Sequence, residues 1–472
     1  MASSPPKPIV TSWDVFDTLL ARFTPNPNAV FQLIEAQRNA PGFVTRRLDA
    51  QAALDRIGRP YVLHDIYRRM AADGLPEAKA RALLRHEVET ERSLLFPIRR
   101  NTLRVEAPDL IISDMYLPPE LIAGFLFDAG ELHTHLPIIR SNWGKHTGTI
   151  WPLVLAAYVI RRHVGDNPAS DLRVPSGFGI DCELVQDSHF TPWETRLQEL
   201  GLVHLALIQR EVRLRCIPPD ATAFHAAAVG PYLTVLVCFA QHLTHRFGAG
   251  AEFAFLSRSA DEPARVFAGL FPEFPVRSLD ISRRLTSAAD LDPVFAAGIT
   301  PATVVVDMVG TGRSFFRFGE RNGSPGRSLI LFAFLDLLLN PAERAQAERR
   351  MEEGRFDHVC RITGGGLAHW RLEHLLQAHY PPVSFVALDS HSGGVVRRFG
   401  AAEMDQNEAR LVGWKSAAVT ELVRTLRRRG LADPGAGVVV TAMEQALRAI
   451  LEDEAITAPF TSFLAREKMD WA

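Results

Sequence analysis

The stretch SWDVFDTLLAR, residues 12–22, ends a short apolar run with two carboxylates, Asp14 and Asp17. Three more features lie far along the chain. Ser113 closes the apolar run DLIIS, Lys145 sits in SNWGKHTG, and Asp166 and Asp171 bracket GDNPASD. Only five residues are lysines, which gives Lys145 added weight. Phosphoryl transfer to a carboxylate asks for this set of groups. It brings anions together, so a divalent cation and a lysine must neutralise charge while the nucleophile is held in line. Taken alone, GDNPASD reads as caps and turns.

The elements that must position these residues are legible. Each follows a predicted strand end, where ligands bind in open parallel sheets. The strands are PIVTSW, DLIISD, LPIIRS and the segment leading into HVGD. Between the first two lies an insertion from about 24 to 105, rich in Ala, Leu, Arg and Glu at helical spacing, which predicts a cap. A second α/β block carries AEFAFLS, VRSLDIS, TVVVDM and SLILFAF, and the last hundred residues are mostly helical by pattern. The expected organisation is α/β throughout: a first domain over 8–205, a charged and proline-bearing linker over 206–222, and a second α/β domain with a helical tail over 223–472.

Bulk properties narrow the classes. A chain of 472 residues exceeds one ordinary core, and 47% hydrophobic with 22% charged residues is a soluble globular composition. A net charge of -2 supplies no basic field for nucleic acid, so no nucleic-acid partner is expected. Cys182, Cys216, Cys238 and Cys360 are scattered without CxxC pairing, and the N-terminus lacks the apolar core of a signal peptide. Both point to the cytoplasm. The apolar run AAAVGPYLTVLVCFA at 226–240 is shorter than a span and contains Pro231, so it predicts a buried helix and no membrane span.

In this order the four motifs resemble those of the haloacid dehalogenase-like (HAD) superfamily, a Rossmann-like parallel sheet carrying a cap. The resemblance implies that Asp14 attacks phosphorus to give an aspartyl-phosphate. It also implies that Mg²⁺ is held by Asp14, the backbone carbonyl of Phe16 and Asp166, with Asp171 completing or orienting the shell. Ser113 would donate to a phosphate oxygen, Lys145 would neutralise nucleophile and transferring group, and Thr18 would fix the loop. Most phosphatases of the superfamily place a general acid two residues after the nucleophile. That position is Phe16 here, and Asp17 falls where many members carry glycine. Taking Asp17 as nucleophile puts Ala21 four residues on, so the frame does not shift. A lost acid costs about 10²–10⁴ in rate. Either Asp17 substitutes, or the leaving group needs little protonation. Dehalogenase members also lack the acid but do not depend on Mg²⁺, and the acids of GDNPASD favour phosphoryl chemistry. SWDVFDTLLAR, ISDMYLP and HVGDNPASD look most like HAD proteins encoded among bacterial surface-polysaccharide genes. That likeness implies a small phosphorylated metabolite, a sugar phosphate or nucleotide-derived compound, as substrate.

In the second block, TVVVDMVGTGRSFFRF is similar to the phosphoribosyl pyrophosphate loop of type I phosphoribosyltransferases. Gly310 and Gly312 would let backbone N–H groups converge, with Thr311, Arg313 and Ser314 around the anion. Asp307 matches the second acid of that motif and would hold ribose hydroxyls, while Val306 replaces the first. Arg258, Arg283 and Arg284 would take a pyrophosphate bidentately. The resemblance implies phosphoribosyl pyrophosphate as a second partner and a bifunctional chain. One acid is missing at each site, at Phe16 and Val306. This favours a different class of reading, a sensor or scaffold that binds phosphorylated ligands without turnover.

Overall fold

The computed structural model describes residues 6–133, 136–140, 144–257, 259–279, 299–300, 302–310, 328–333, 340–353, 356–358, 368–378, 383–388, 395–399 and 404–460. They form two compact units, Met1–Thr191 with Leu214–Pro219, and Pro192–Arg213 with Asp220–Ala472.

The first unit is built on β1 (Ile9–Trp13), β4 (Leu110–Ser113), β5 (Ile138–Arg140), β6 (Val159–Gly165) and β7 (Cys182–Leu184). Their order is β5-β4-β1-β6-β7, and every neighbouring pair is parallel. A parallel sheet covered on both faces buries every side chain of its central strands, which is why VTSW and LIIS read as runs rather than alternations. The seven-residue β6 ends in three buried residues, and β7 is too short to leave a periodic signal. Val10, Leu110, Ile112, Trp151, Val154 and Ile160 form a core cluster. Asp109 fixes the start of β4 to β1. It accepts from the Thr11 backbone N–H at 3.1 Å and the Trp13 indole at 2.9 Å. The chain lays β4 and β5 on one side of β1, then returns across it to β6 and β7. Direction reverses at β1, so the crevice of this sheet opens at the carboxyl ends of β1, β4 and β6.

Between β1 and β4 a short antiparallel pair, β2 (Leu20–Arg22) and β3 (Leu95–Pro97), brackets four helices. These are α1 (Ala29–Gln37), α2 (Phe43–Ile57), α3 (Leu63–Ala72) and α4 (Glu77–Leu94). The insertion expected over 24–105 is thus helical over its middle, with its two ends joined by the pairing of β2 with β3. Its centre is polar. Arg47 is fully buried, and its Nε and Nη2 fork onto Glu87 at 2.9 Å each while Nη1 reaches Gln51 at 2.8 Å. The Tyr67 hydroxyl donates to the same carboxylate at 2.5 Å. The guanidinium lies 4.7 Å from the Phe31 ring centroid and 5.0 Å from that of Tyr116, a residue of the loop after β4. A paired, stacked guanidinium is the form in which arginine tolerates burial.

The second unit holds a five-stranded, all-parallel sheet in the order β12-β11-β10-β8-β9. Its strands are β8 (Glu252–Leu256), β9 (Val276–Leu279), β10 (Thr303–Gly310), β11 (Ser328–Ala333) and β12 (Phe356–His358). The apolar run at 226–240 lies in Ala223–Phe247, a stretch long and apolar enough to cross a membrane by length and composition, of which 83% of the most apolar part is buried.

One expectation is corrected here. The linker expected over 206–222 is, up to Cys216, part of the helix Val203–Cys216. Its charges are internal: Glu211 pairs with Arg428 at 2.7 Å and Arg429 at 3.0 Å, and Arg213 forks onto Glu194 at 2.7 and 3.0 Å. Charges paired in this way pack as a core does, so composition misplaced the boundary. Among the described residues the C-terminal region is mostly helical, as expected: an antiparallel pair, β13 (Val383–Leu388) and β14 (Val395–Phe399), precedes the long helices Gln406–Arg429 and Ala436–Glu452.

Candidate active site

The sequence SWDVFDT makes a tight turn as β1 ends. Asp14 keeps its N–H on the Val164 carbonyl at 2.9 Å, and the Val15 carbonyl accepts from both Leu19 and Leu20, at 2.8 and 2.9 Å. Asp17 completes the turn in the left-handed region, φ +59°, with its N–H on the Leu20 carbonyl at 2.7 Å. A short polar side chain is among the few besides glycine that tolerate this conformation. The loop after β6 is built by Asn167, whose side chain accepts from Ala169 and Ser170 N–H groups at 2.9 and 3.2 Å and caps the π-helical turn Pro168–Arg173. Asn167 is a cap, and Asp171 on that turn faces the site. Gly165 is required there, because a Cβ on it would meet the Asp171 carboxyl carbon at 2.3 Å.

These loops bring four of the sequence-derived residues into contact and a fifth beside them. Lys145, 2% exposed, contacts Asp14 Oδ1 and lies 2.7 Å from Asp171 Oδ1. Asp14, Asp166 and Asp171 each offer a carboxylate oxygen, all within 4.8 Å of one another. Thr18 Oγ1 lies 3.4 Å from both Asp14 and Asp166. Ser113 is buried at the end of β4, its hydroxyl accepting from the Met115 N–H at 3.3 Å. Asp17 stands apart on the wall of a neighbouring cavity, 3.9 Å from Arg22.

The acids are electrostatically distinct. Burial pushes the Asp14 carboxyl up to about 6, with Lys145 opposing and Asp171 reinforcing the shift. Burial and the charges of Asp14, Asp17 and Asp171 push Asp166 up to about 8. Asp171 goes the other way. Burial alone would raise it, but Lys145 and the His163 hydrogen bond hold it well below the carboxylate range. Burial also opposes the charge on Lys145, yet Asp14 and Asp171 carry its pKa above the ordinary lysine value. Asp171 is thus largely committed. One oxygen takes Lys145, with His163 at 3.2 Å, and the other takes the Asn167 N–H at 2.9 Å. Asp166 is left as the acid whose ionisation a further cation would favour, beside the Asp14 carboxylate, and the three carboxylate oxygens could hold a metal ion.

Three positioning residues escaped the sequence reading. Asp114 accepts from the backbone N–H of Lys145 at 3.1 Å and of His146 at 2.8 Å, fixing the Lys145 loop to the end of β4. His163 and Ser12 form a buried relay behind Asp171, Ser12 Oγ lying 2.8 Å from His163 Nδ1. Both strand residues looked like filler within apolar runs, whereas the ISD after β4 carried a usable signal in Asp114.

Beyond Phe16 and Asp17 a cavity of about 310 Å³ opens beneath the helical insertion, walled by Phe31, Tyr116, Phe125, Arg22, Glu87 and Glu91.

In the second unit, Asp307 follows Val306 on β10, and burial pushes its carboxyl up to about 6. It accepts from the Ser259 hydroxyl at 3.1 Å and the Met308 N–H at 2.8 Å. Gly310, expected in a turn, is the last residue of β10, paired with Ala333. Arg258, Arg283, Arg284, Thr311, Gly312, Arg313 and Ser314 lie outside the described residues. Compared with known proteins, the chain matches no family model and no curated protein.

Proposed function

We propose that this chain is a Mg²⁺-dependent phosphohydrolase or phosphotransferase of the HAD type, working through an aspartyl-phosphate on Asp14, with a sugar phosphate or nucleotide-derived metabolite as substrate. The observation that carries the reading is the bridge of Lys145 between Asp14 and Asp171, with an Asp166 oxygen within 4.8 Å of theirs. Asp14, Asp166 and the Phe16 carbonyl would hold Mg²⁺, with Asp171 behind them, and the ion would neutralise phosphoryl oxygens. An Asp14 oxygen forms the new bond to phosphorus as the ester P–O bond breaks. Lys145, kept charged by its two acids, neutralises the group in transfer, and the Ser113 hydroxyl donates to one of its oxygens. Asp17, on the cavity wall, would supply a proton to the leaving oxygen, the role Phe16 cannot fill. Water then cleaves the aspartyl-phosphate. Labelled acetyl phosphate with Mg²⁺ should leave a hydroxylamine-labile phosphoryl group on the peptide containing Asp14, and absence of any such label would count against the mechanism.

Cation binding should release protons. Asp166, raised to about 8, carries a proton near pH 7 in the metal-free protein that a shared cation displaces, and Asp14, raised to about 6, adds to the release toward pH 6. Apparent Mg²⁺ affinity therefore climbs as pH rises from about 6 to 8, and the calorimetric heat at pH 7 depends on the ionisation enthalpy of the buffer. A flat pH profile with buffer-independent heat would contradict this use of the two acids.

For the second unit the proposal is phosphoribosyl binding or transfer, supported by Asp307 near the end of a central parallel strand. Pyrophosphate released from phosphoribosyl pyrophosphate, and lost in Asp307→Asn, is the expected result. Release that survives the substitution would remove Asp307 from the site.

A further inference from the structure

The cavity beside Asp14 constrains what the transferred phosphoryl group leaves behind. Phe16 and Asp17, the residues next after Val15 on the Asp14 turn, form part of its wall, so it is the cavity next to the turn that carries the nucleophile. Its volume of about 310 Å³ sits at the low end of ligand pockets, roughly 300–1,000 Å³. Among the described residues its charged lining is Asp17, Glu87, Glu91 and one cation, Arg22.

That cation is already engaged. Arg22 is buried, its Nε donates to Glu91 at 2.6 Å, Nη1 lies 3.9 Å from Asp17, and its guanidinium stacks 4.2 Å from the Phe16 ring centroid. The guanidinium behind Glu87, that of Arg47, is forked onto Glu87 and buried. A second phosphate or carboxylate on the substrate would find no guanidinium to accept it and would meet carboxylates instead. The remaining wall is largely apolar, four aromatic rings together with Leu63, Val88, Met115, Leu117 and Pro27, and carries Asn28 and Gln51 as its neutral polar groups. Aromatic faces cover the apolar side of a ring, while carboxylates and amides accept and donate along its hydroxyl edge.

We infer that the substrate is the monophosphate of one small hydroxylated ring, a monosaccharide or cyclic polyol, neutral or bearing an amine, and that a second anionic group on the leaving portion is rejected. This rests on the hydrolase reading above. The test is a panel with Mg²⁺: hexose and aminohexose monophosphates, the matching hexose bisphosphate, a nucleoside 5′-diphosphate, and acetyl phosphate. The monophosphates should exceed the bisphosphate and the nucleotide in kcat/KM by about tenfold or more, the penalty of an unmatched charge in a partly buried site. Glu91→Gln, which releases Arg22, should narrow that ratio by raising the bisphosphate. Acetyl phosphate places almost nothing in the cavity, so it scores the aspartyl-phosphate chemistry alone. Its hydrolysis together with equal or better use of the bisphosphate overturns the inference and leaves the hydrolase standing. If acetyl phosphate is not hydrolysed, the hydrolase reading fails. The thermal shift of the Mg²⁺-loaded native chain with each compound then decides the cavity, monophosphates ahead supporting the inference and the bisphosphate level or ahead overturning it.

Discussion

Replacing Asp14 with asparagine should cut phosphate release by at least about 10⁴-fold, the scale seen when a covalent nucleophile is removed. The label from acetyl phosphate should vanish with it. An amide keeps the shape of the side chain but cannot attack phosphorus, and it removes one of the two carboxylates on Lys145. The fold should not suffer. With its folded pKa at about 6 against an ordinary 3.8, Asp14 binds its proton more tightly in the folded state, so its ionisation destabilises the metal-free protein as pH rises from about 4 through 6. Asparagine removes that cost. At pH 7 in a chelator, thermal denaturation should place Asp14→Asn at or above the native chain, whereas with Mg²⁺ the native chain should gain more. Turnover that persists in the variant would sink the hydrolase assignment. If native and variant are equally inert while the native chain still responds to the cation and to phosphorylated ligands, the sensor reading takes its place.

The second large effect concerns stability. Lys415→Met should cost the second unit about 3–5 kcal/mol, seen as an earlier transition in calorimetry of the full chain. Lys415 is fully buried, and its ammonium group is used in full: Glu262 at 2.8 Å, the Leu375 carbonyl at 2.5 Å and the Gln377 carbonyl at 3.0 Å. Burial lowers its pKa while Glu262 resists, so the pair is held by mutual need. Methionine fills a similar volume but leaves the Glu262 carboxylate buried with the Tyr232 hydroxyl, 2.6 Å away, as its remaining strong donor. Adding Glu262→Gln should recover much of the loss, because replacing both charges removes the orphan. A single-variant cost under about 1 kcal/mol would show that the network contributes little.

How much of this was legible follows from what each signal depends on. Four strands of each parallel sheet announced themselves, most clearly where double-sided burial imposes continuous apolarity, as on LIIS and TVVV, whereas the three-residue β7 and β12 left no signal. The site acids and Lys145 were legible because a strand end needs no charge unless something there uses it. The boundary near 206 was not, since EVRLRC looks solvated by composition and only the partners Glu194, Arg428 and Arg429 reveal that it is interior. His163 and Ser12 were invisible for the same reason: a polar residue on a buried strand is recognised by what it faces. The pair β13 and β14 falls in a stretch whose helical neighbours dominated the pattern.

The left-handed backbone at Asp17 restricts what this turn can become. A residue bearing a Cβ pays roughly 1–2 kcal/mol to sit there, and only glycine, asparagine and aspartate bear it readily. Glutamate, the nearest chemical relative, is therefore a poor replacement even where its acidity would serve. The handedness of the turn and the reach of its acid are inherited together, and any drift at this position leads toward losing the carboxyl group altogether rather than lengthening it.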